Sequence, residues 1–256
     1  MNLRRFLSEV LGWHRAVSGR QPTAAERSEF ARQWREVKRD PRGFRVISKP
    51  RFDAGSHPEG FYDFEQEFAA TQVALARPRA ILDIGSYRGF LTGLAAGYDL
   101  TTLDVRERSP RFEREKVLTG DARSLPLPDG SVECLIALCA IEHFGLGRYG
   151  DPFDLDGDVR ACREMVRVLR PGGLLVASLP FTRGPATLAF NSHRIYDRER
   201  IDALFAGLRL RDHAYVSLRT GLCTLDQVED RPGKWSVFCG AWAKDGPPAS
   251  QERVEQ

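Results

Sequence analysis

The sequence predicts an α/β protein built on a mostly parallel sheet with helices on both faces. Two observations lead to this. From Arg79 onward, short apolar runs alternate with segments of helical periodicity, as parallel strands joined by crossover helices require. The run from Ala80 to Phe90 reads as a buried strand entering a glycine turn that opens a helix. At such a junction an α/β fold brings bare backbone close to a ligand. The chain has 256 residues, 42% hydrophobic and 29% charged, enough for one such domain with an N-terminal extension.

The elements follow in order. Residues 2–17 place Leu3, Phe6, Leu7, Val10, Leu11 and Trp13 at helical spacing between basic ends. Such a helix docks on its own domain or on the sister subunit of a homodimer; the alternative is contact with a membrane surface. Thr23-Ala24-Ala25-Glu26 is a capping box that starts a second helix, ended near Lys38 by Asp40-Pro41-Arg42-Gly43. Residues 44–61 read as irregular, and a third helix is expected from Asp63 to Ala76. Strands are expected at 80–84, 100–104, 116–118, 132–139, 173–179, 209–217 and 235–243, and helices at 88–97, 158–169 and 197–206. The last two strands are joined without a clear helix and so can pair antiparallel. Pro171 stops the helix before it, with Gly172 and Gly173 supplying the turn. The expected organisation is an extension over 1–62, a catalytic domain over 63–244 and a polar tail over 245–256 that frays.

Composition removes several function classes. The net charge of +3 is too small to argue for nucleic acid. Cations are mostly arginine, with lysine confined to positions 38, 49, 116, 234 and 244. The five cysteines form no Cys-x-x-Cys pair, and Cys134 and Cys139 lie in an apolar run. They read as reduced thiols of a cytoplasmic protein. No apolar run approaches the roughly 18 residues of a membrane span, and the N-terminus lacks a signal-peptide core.

Three features fall at expected strand ends, where open α/β sheets bind ligands. The first is the loop Asp83-Ile84-Gly85-Ser86-Tyr87-Arg88-Gly89. An acid two residues before the first glycine suits a ligand with positive charge, and nicotinamide-binding loops are usually apolar there. This points to S-adenosylmethionine (SAM), whose carboxylate would meet backbone N–H groups of the turn. The second is Asp104, followed by Val105, about twenty residues on, where an acid can accept from two ribose hydroxyls. The third is Gly120-Asp121-Ala122, where Asp121 can accept from an adenine amino group and the Ala122 N–H can donate to a ring nitrogen.

With these motifs in this order, residues 63–243 resemble the class I SAM-dependent methyltransferases. The resemblance implies a Rossmann-like, seven-stranded, mostly parallel sheet with an antiparallel last strand, and SAM as cofactor with Cys139 beside it. One position departs from the family pattern: Tyr87 stands where the middle glycine of the loop is usual. The run from Ile141 to Asp154 and the later run from Phe190 to Tyr196 resemble a poorly characterised subgroup, the DUF268 family. Related sequences are associated with polysaccharide biosynthesis, which implies a small-molecule or sugar-containing acceptor.

Methyl transfer to a hydroxyl needs alignment and benefits from a general base. His143, after the fourth strand, is the first candidate, with Glu142 to orient it. His193 and Arg194, after the fifth strand, are expected to line the acceptor pocket from the other side. Arg148 and Tyr149 sit in a glycine-flanked loop that can fold over an acceptor, with Arg148 suited to a phosphate or carboxylate or, alternatively, paired with Asp151 or Asp154. The acidic run Asp151, Asp154, Asp156 and Asp158 lacks the glycine and glutamate of a calcium loop. No metal is expected there, and Asp156 and Asp158 are read as capping the next helix. Two other readings remain: a nucleic-acid methyltransferase, disfavoured because Ala140-Ile141-Glu142-His143 is not the Asn/Asp-Pro-Pro-aromatic run used on base amino groups, and a non-catalytic SAM-binding partner.

Overall fold

The computed structural model describes residues 22–43, 45–48, 50, 60–110 and 113–246. The helix expected at 2–17 and the tail beyond Gly246 lie outside the described residues. The chain divides into two units, 1–58 and 59–256. In the first, helix α1 (Ala24–Arg39) starts at the capping box: Thr23 Oγ1 accepts from the Glu26 N–H, and the Glu26 carboxylate accepts from the Thr23 N–H. No α1 residue is buried, and Arg32 bridges Glu29 and Glu36 along one face.

The second unit holds the α/β sheet. Its strands are β1 (Ala80–Ile84), β2 (Asp99–Asp104), β3 (Glu115–Thr119), β4 (Val132–Leu138), β5 (Leu169–Phe181), β8 (Leu208–Ser217), β9 (Gly221–Cys223) and β10 (Ser236–Lys244). They lie in the order β3-β2-β1-β4-β5-β10-β8-β9. The first five are parallel, while β10 runs antiparallel to both β5 and β8. Helices α2 (Phe61–Ala76) and α3 (Arg88–Leu94) cover one face, where Ala69, Val73, Leu91 and Leu94 pack on Ile81, Cys134, Ile136 and Val176. Helices α4 (Gly157–Val168) and α5 (Arg198–Leu204) cover the other, with Ala161, Met165, Val168 and Ile201 against Leu82, Leu135, Leu175 and Phe238. Burial on both faces explains why β1 and β4, apart from Asp83 and Glu133, read as apolar runs rather than alternating ones.

The sheet has eight strands, not seven. Beyond β8 the chain turns back and Gly221–Cys223 pairs antiparallel with Tyr215–Ser217. A three-residue edge strand carries no periodicity to read. Gly221 enters it at φ +77, and a Cβ there would sit 2.5 Å from the Phe64 ring of α2. The Arg170–Gly173 segment also differs from expectation. Helix α4 ends at Val168, ahead of Pro171, and β5 begins at once. The glycines lie within β5, where its register against β4 shifts between Val132 and Cys134. A separate hairpin, β6 (Thr187–Ala189) with β7 (His193–Ile195), was not anticipated. Among the described residues, no helix is long and apolar enough to cross a membrane.

Candidate active site

The sheet order reverses between β1 and β4, and a cleft of about 800 Å³ opens there at the carboxyl ends of the strands. A recess of about 130 Å³ continues from it toward the end of β3.

Asp83 sits one residue before the end of β1 and is 1% exposed. Its Oδ2 accepts from the Ser86 N–H at 3.4 Å, while Oδ1 is buried with no partner. Burial pushes its carboxyl up to about 7, against the pull of the Ser86 bonds. Gly85 turns at φ +75 with a virtual Cβ 3.1 Å from Ala140 Cβ, so both the turn and the close approach favour glycine. Ser86 Oγ accepts from the Leu138 N–H at 3.0 Å and ties the loop to β4. Tyr87 has φ −63, which any residue adopts, so no glycine is needed where the family has one. Its ring folds over Gly89, where a Cβ would meet it at 2.6 Å, and lies 6.2 Å from the Tyr62 ring. Tyr87 therefore forms part of the cleft wall.

Asp104 ends β2 and lines both cavities, whereas Val105, Asp121 and Ala122 line the recess. The two acids share one device: each is gripped by the arginine two residues on. Arg106 donates to Asp104 at 2.9 Å from its backbone N–H, 2.9 Å from Nε and 2.7 Å from Nη2. Arg123 does the same to Asp121, and its Nη1 reaches Asp154. Burial alone would raise Asp104, but the Arg106 bonds outweigh it and leave the carboxyl below its ordinary range. The Arg123 bonds lower Asp121 likewise.

After β4 the backbone turns sharply at Cys139 (φ +45) into a 3₁₀ turn, Ile141–His143. Cys139 lines both cavities, and its Sγ lies 3.1 Å from Oε2 of Glu65 on α2, which also accepts from Ser178 Oγ at 2.5 Å. Glu65 is 1% exposed with Oε1 unpartnered, and burial raises it to about 7. Glu142 is 3% exposed, with Oε2 also unpartnered, and burial raises it to about 8.

His143 Nδ1 is 2.6 Å from the Ser192 carbonyl. A carbonyl only accepts, so Nδ1 carries the proton and Nε2 keeps its lone pair, 3.7 Å from Glu142 Oε1. Burial, with the nearby Arg148 charge, holds the imidazole down at about 4 despite the Ser192 bond. His193, at the start of β7, lines the cleft 6.4 Å from the His143 ring and 5.7 Å from the Trp235 ring. Burial first and Arg148 second lower it also. Arg148 and Tyr149 line the cleft, with the Tyr149 ring 5.0 Å from each of the Arg106 and Arg148 guanidinium groups.

Arg194 is not in the cleft, contrary to the sequence-based expectation. It is 9% exposed and faces the opposite side of the hairpin. Its guanidinium donates to the Phe144 and Leu155 carbonyls and pairs with Asp158, which in turn accepts from Tyr196 Oη. Asp156 occupies the N-cap of α4, as expected, though without a side-chain cap bond, and Asp158 lies in its first turn, where an acid complements the helix dipole. Among the described residues no metal-holding group of three or more acids, histidines or cysteines occurs. Sequence reasoning missed Glu65, Phe61, Tyr62, Trp235 and the Ser192 carbonyl. Glu65 alone left a signal, as an acid on the apolar face of α2.

Solved methyltransferases share this fold. A structure of the 1,6-didemethyltoxoflavin-N1-methyltransferase of Burkholderia thailandensis, with S-adenosylhomocysteine bound, matches 88% of this chain and 93% of its own at TM-score 0.55 and 18% identity. The chain has the class I methyltransferase fold. A match to the family described as "Caenorhabditis protein of unknown function, DUF268" covers residues 129–218, from the start of β4 through β8. An uncharacterized methyltransferase of Mycobacterium sp. (strain JLS) is 30% identical over 161 residues, 56% of this chain and 59% of that protein. The malonyl-[acyl-carrier protein] O-methyltransferase of Methylococcus capsulatus is 34% identical over 124 residues, 44% of this chain and 40% of that protein. The chain thus spans less than two thirds of the length of these curated relatives. It resembles the class I SAM-dependent methyltransferases and, over residues 129–218, DUF268. That family match contains His143, Arg148 and His193 but none of Asp83, Asp104 and Asp121.

Proposed function

We propose that this protein is a SAM-dependent methyltransferase acting on a hydroxyl of a small-molecule or glycan-linked acceptor. The observation that carries the reading is the pair of buried, unpartnered carboxylate oxygens on the cleft, Asp83 Oδ1 and Glu142 Oε2. A buried acid with an open lone pair is stabilised by a cationic ligand. SAM carries an ammonium and a sulfonium, so the residues fit it. Asp83 and the Gly85–Tyr87 backbone would hold its amino-acid end, Asp104 its ribose, and Asp121 with Ala122 its adenine, once Arg106 and Arg123 yield their carboxylates. Bound SAM supplies a methyl group already activated on sulfur.

The chain's own contribution is alignment and proton removal. Ser192 fixes the His143 tautomer so that Nε2 can take the acceptor's hydroxyl proton as the new O–CH3 bond forms. Because burial keeps the ring neutral, His143 is in its base form throughout the neutral range. Phe61, Tyr62, Trp235 and His193 line the cleft with it. The relative from Methylococcus, an O-methyltransferase by name, and the S-adenosylhomocysteine in the Burkholderia structure agree with this assignment.

Calorimetry against SAM and NAD, followed by incubation with SAM and cell extract, tests the reading. Preferential SAM binding, production of S-adenosylhomocysteine and an O-methylated product by mass spectrometry are expected. Tighter binding of NAD would overturn the cofactor, and SAM binding without turnover in any extract would leave a non-catalytic SAM-binding partner.

A further inference from the structure

We propose that Arg148 selects a methyl acceptor bearing a carboxylate or phosphate close to the atom that is methylated. The proposal rests on reading the cleft as a methyl-transfer site. Four arginines line that cleft: Arg88, Arg106, Arg108 and Arg148. Arg88 and Arg108 both pair with Glu115, at 2.8 and 2.7 Å; Arg106 pairs with Asp104 in the free protein, and Arg148 is the arginine beside His143. Arg148 has no carboxylate within ion-pairing distance among the described residues.

Its own loop could have supplied one and does not. Asp151 accepts instead from the Gly145 N–H at 2.6 Å and the Tyr149 N–H at 3.3 Å. Asp154 is held by Arg123 and Arg160. Arg148 spends one bond on the Ser192 carbonyl, at 3.1 Å, and lays its guanidinium over the Tyr149 ring. A guanidinium has five donors in one plane. The Tyr149 contact and the Ser192 bond hold the guanidinium at the cleft and leave donors free for an anion.

The placement has a chemical consequence. Arg148 Nη1 lies 3.4 Å from His143 Nδ1. Since Nδ1 carries a proton toward Ser192, that contact is a charge beside an imidazole rather than a hydrogen bond. The groups facing His143 are Glu142 on its own turn, Arg148, Tyr149 and Asp151 on the following loop, and His193 on β7. An uncompensated guanidinium there disfavours the imidazolium that proton abstraction creates. An acceptor anion on Arg148 cancels that charge, so the correct acceptor both anchors itself and makes its base stronger. A neutral analogue of the same shape gains neither.

The test uses the anion alone. Protein labelled at histidine and saturated with S-adenosylhomocysteine is titrated with inorganic phosphate and, separately, acetate at constant ionic strength, with chloride as control. The His143 ring is followed by NMR. One of the two anions is expected to shift it saturably and raise its pKa; whichever binds tighter identifies the acceptor group as phosphate or carboxylate. Arg148→Gln is expected to weaken that anion at least about tenfold, while Arg148→Lys retains part of the response. S-adenosylhomocysteine affinity stays unchanged in both. The same response in Arg148→Gln as in the native protein, or none beyond chloride with either anion, would overturn the proposal. Failure to bind S-adenosylhomocysteine at all would instead count against the methyltransferase reading.

Discussion

The two halves of the cleft are built by different means. On the proposed cofactor side, Asp83, Asp104 and Asp121 come from or just beyond the ends of β1, β2 and β3. Parallel pairing fixes their spacing: Asp83 lies opposite Thr102, and Asp104 opposite Thr119. Backbone hydrogen bonds of the sheet set this geometry, whatever the side chains around it. On the proposed acceptor side, the groups come from a 3₁₀ turn, the loop after it, the β6–β7 hairpin, α2 and the segment before β10. Side-chain contacts between separate segments hold them together. Asp151 caps the Gly145 N–H, Arg194 crosslinks the Phe144 and Leu155 carbonyls, and Gly145 packs so closely that a Cβ would sit 2.1 Å from the Asp154 carbonyl oxygen. The first side can stay constant while the second is rebuilt residue by residue. Substitutions should therefore separate cofactor binding from the rest.

The largest separation is expected at His143. His143→Ala should lower kcat by about 10²–10⁴-fold, the usual worth of a positioned general base. SAM affinity by calorimetry should fall far less than the rate, because the ring touches none of the strand-end acids and, of the cleft's acids, meets only Glu142, at 3.7 Å. A loss of SAM affinity comparable to the loss of rate would show that the two halves are one.

Arg194 probes the same division through stability. Arg194→Met leaves Asp158 buried without its cation and removes donors from two carbonyls. Breaking such a pair costs about 3 kcal/mol, read as a lower midpoint in urea. The folded fraction should still bind SAM as the native protein does, since the cofactor half is held by the sheet. A matching fall in SAM affinity would place the hairpin in the cofactor site after all.

This division also decides what could be read from the sequence. The strand-end acids were legible because spacing along a parallel sheet maps directly onto space. The eight-strand count was not, because Gly221–Cys223 is too short to show a period. On the acceptor side, His143, Arg148, Tyr149 and His193 were visible as residue types clustered after β4 and β5, and all four reach the cleft. Arg194 was misplaced because alternation in β7 sends neighbours to opposite faces, which matters only once the hairpin is known. Glu65 and Trp235 come from distant segments, and no local pattern links either to His143.

The buried acids predict a pH dependence. Asp83, raised to about 7, is partly protonated in the free protein at neutral pH, and Glu142, raised to about 8, is mostly so. A cationic ligand favours their ionised forms, so SAM affinity should rise with pH up to about 8. The slope approaches tenfold per pH unit for each proton released. Because their pKa values are raised by folding, the same groups should make the free protein less stable as pH rises from the ordinary carboxylate range to about 8, and SAM should offset that loss. Calorimetry in buffers of different ionisation enthalpy reads the released protons directly. S-adenosylhomocysteine, which lacks the sulfonium charge, should show a shallower slope. Equal slopes for the two ligands would mean that Glu142 does not face the sulfur.

The smallest expected effect carries the sharpest sign. In the free protein Arg106 donates three hydrogen bonds to Asp104, two of them from its side chain, and its guanidinium also faces the Tyr149 ring. Ribose hydroxyls and Arg106 therefore compete for the same carboxylate oxygens. Arg106→Ala removes the side-chain competitor and leaves Asp104 in place on its strand end, so SAM should bind a few-fold more tightly, by about the net worth of one hydrogen bond. Both wet and paired carboxylates are stable, so the gain cannot be large. The sign depends only on whether Asp104 is the ribose acceptor. Weaker SAM binding in Arg106→Ala would mean that the arginine holds the cofactor itself, and the cofactor half would then rest on a loop side chain as much as on the sheet.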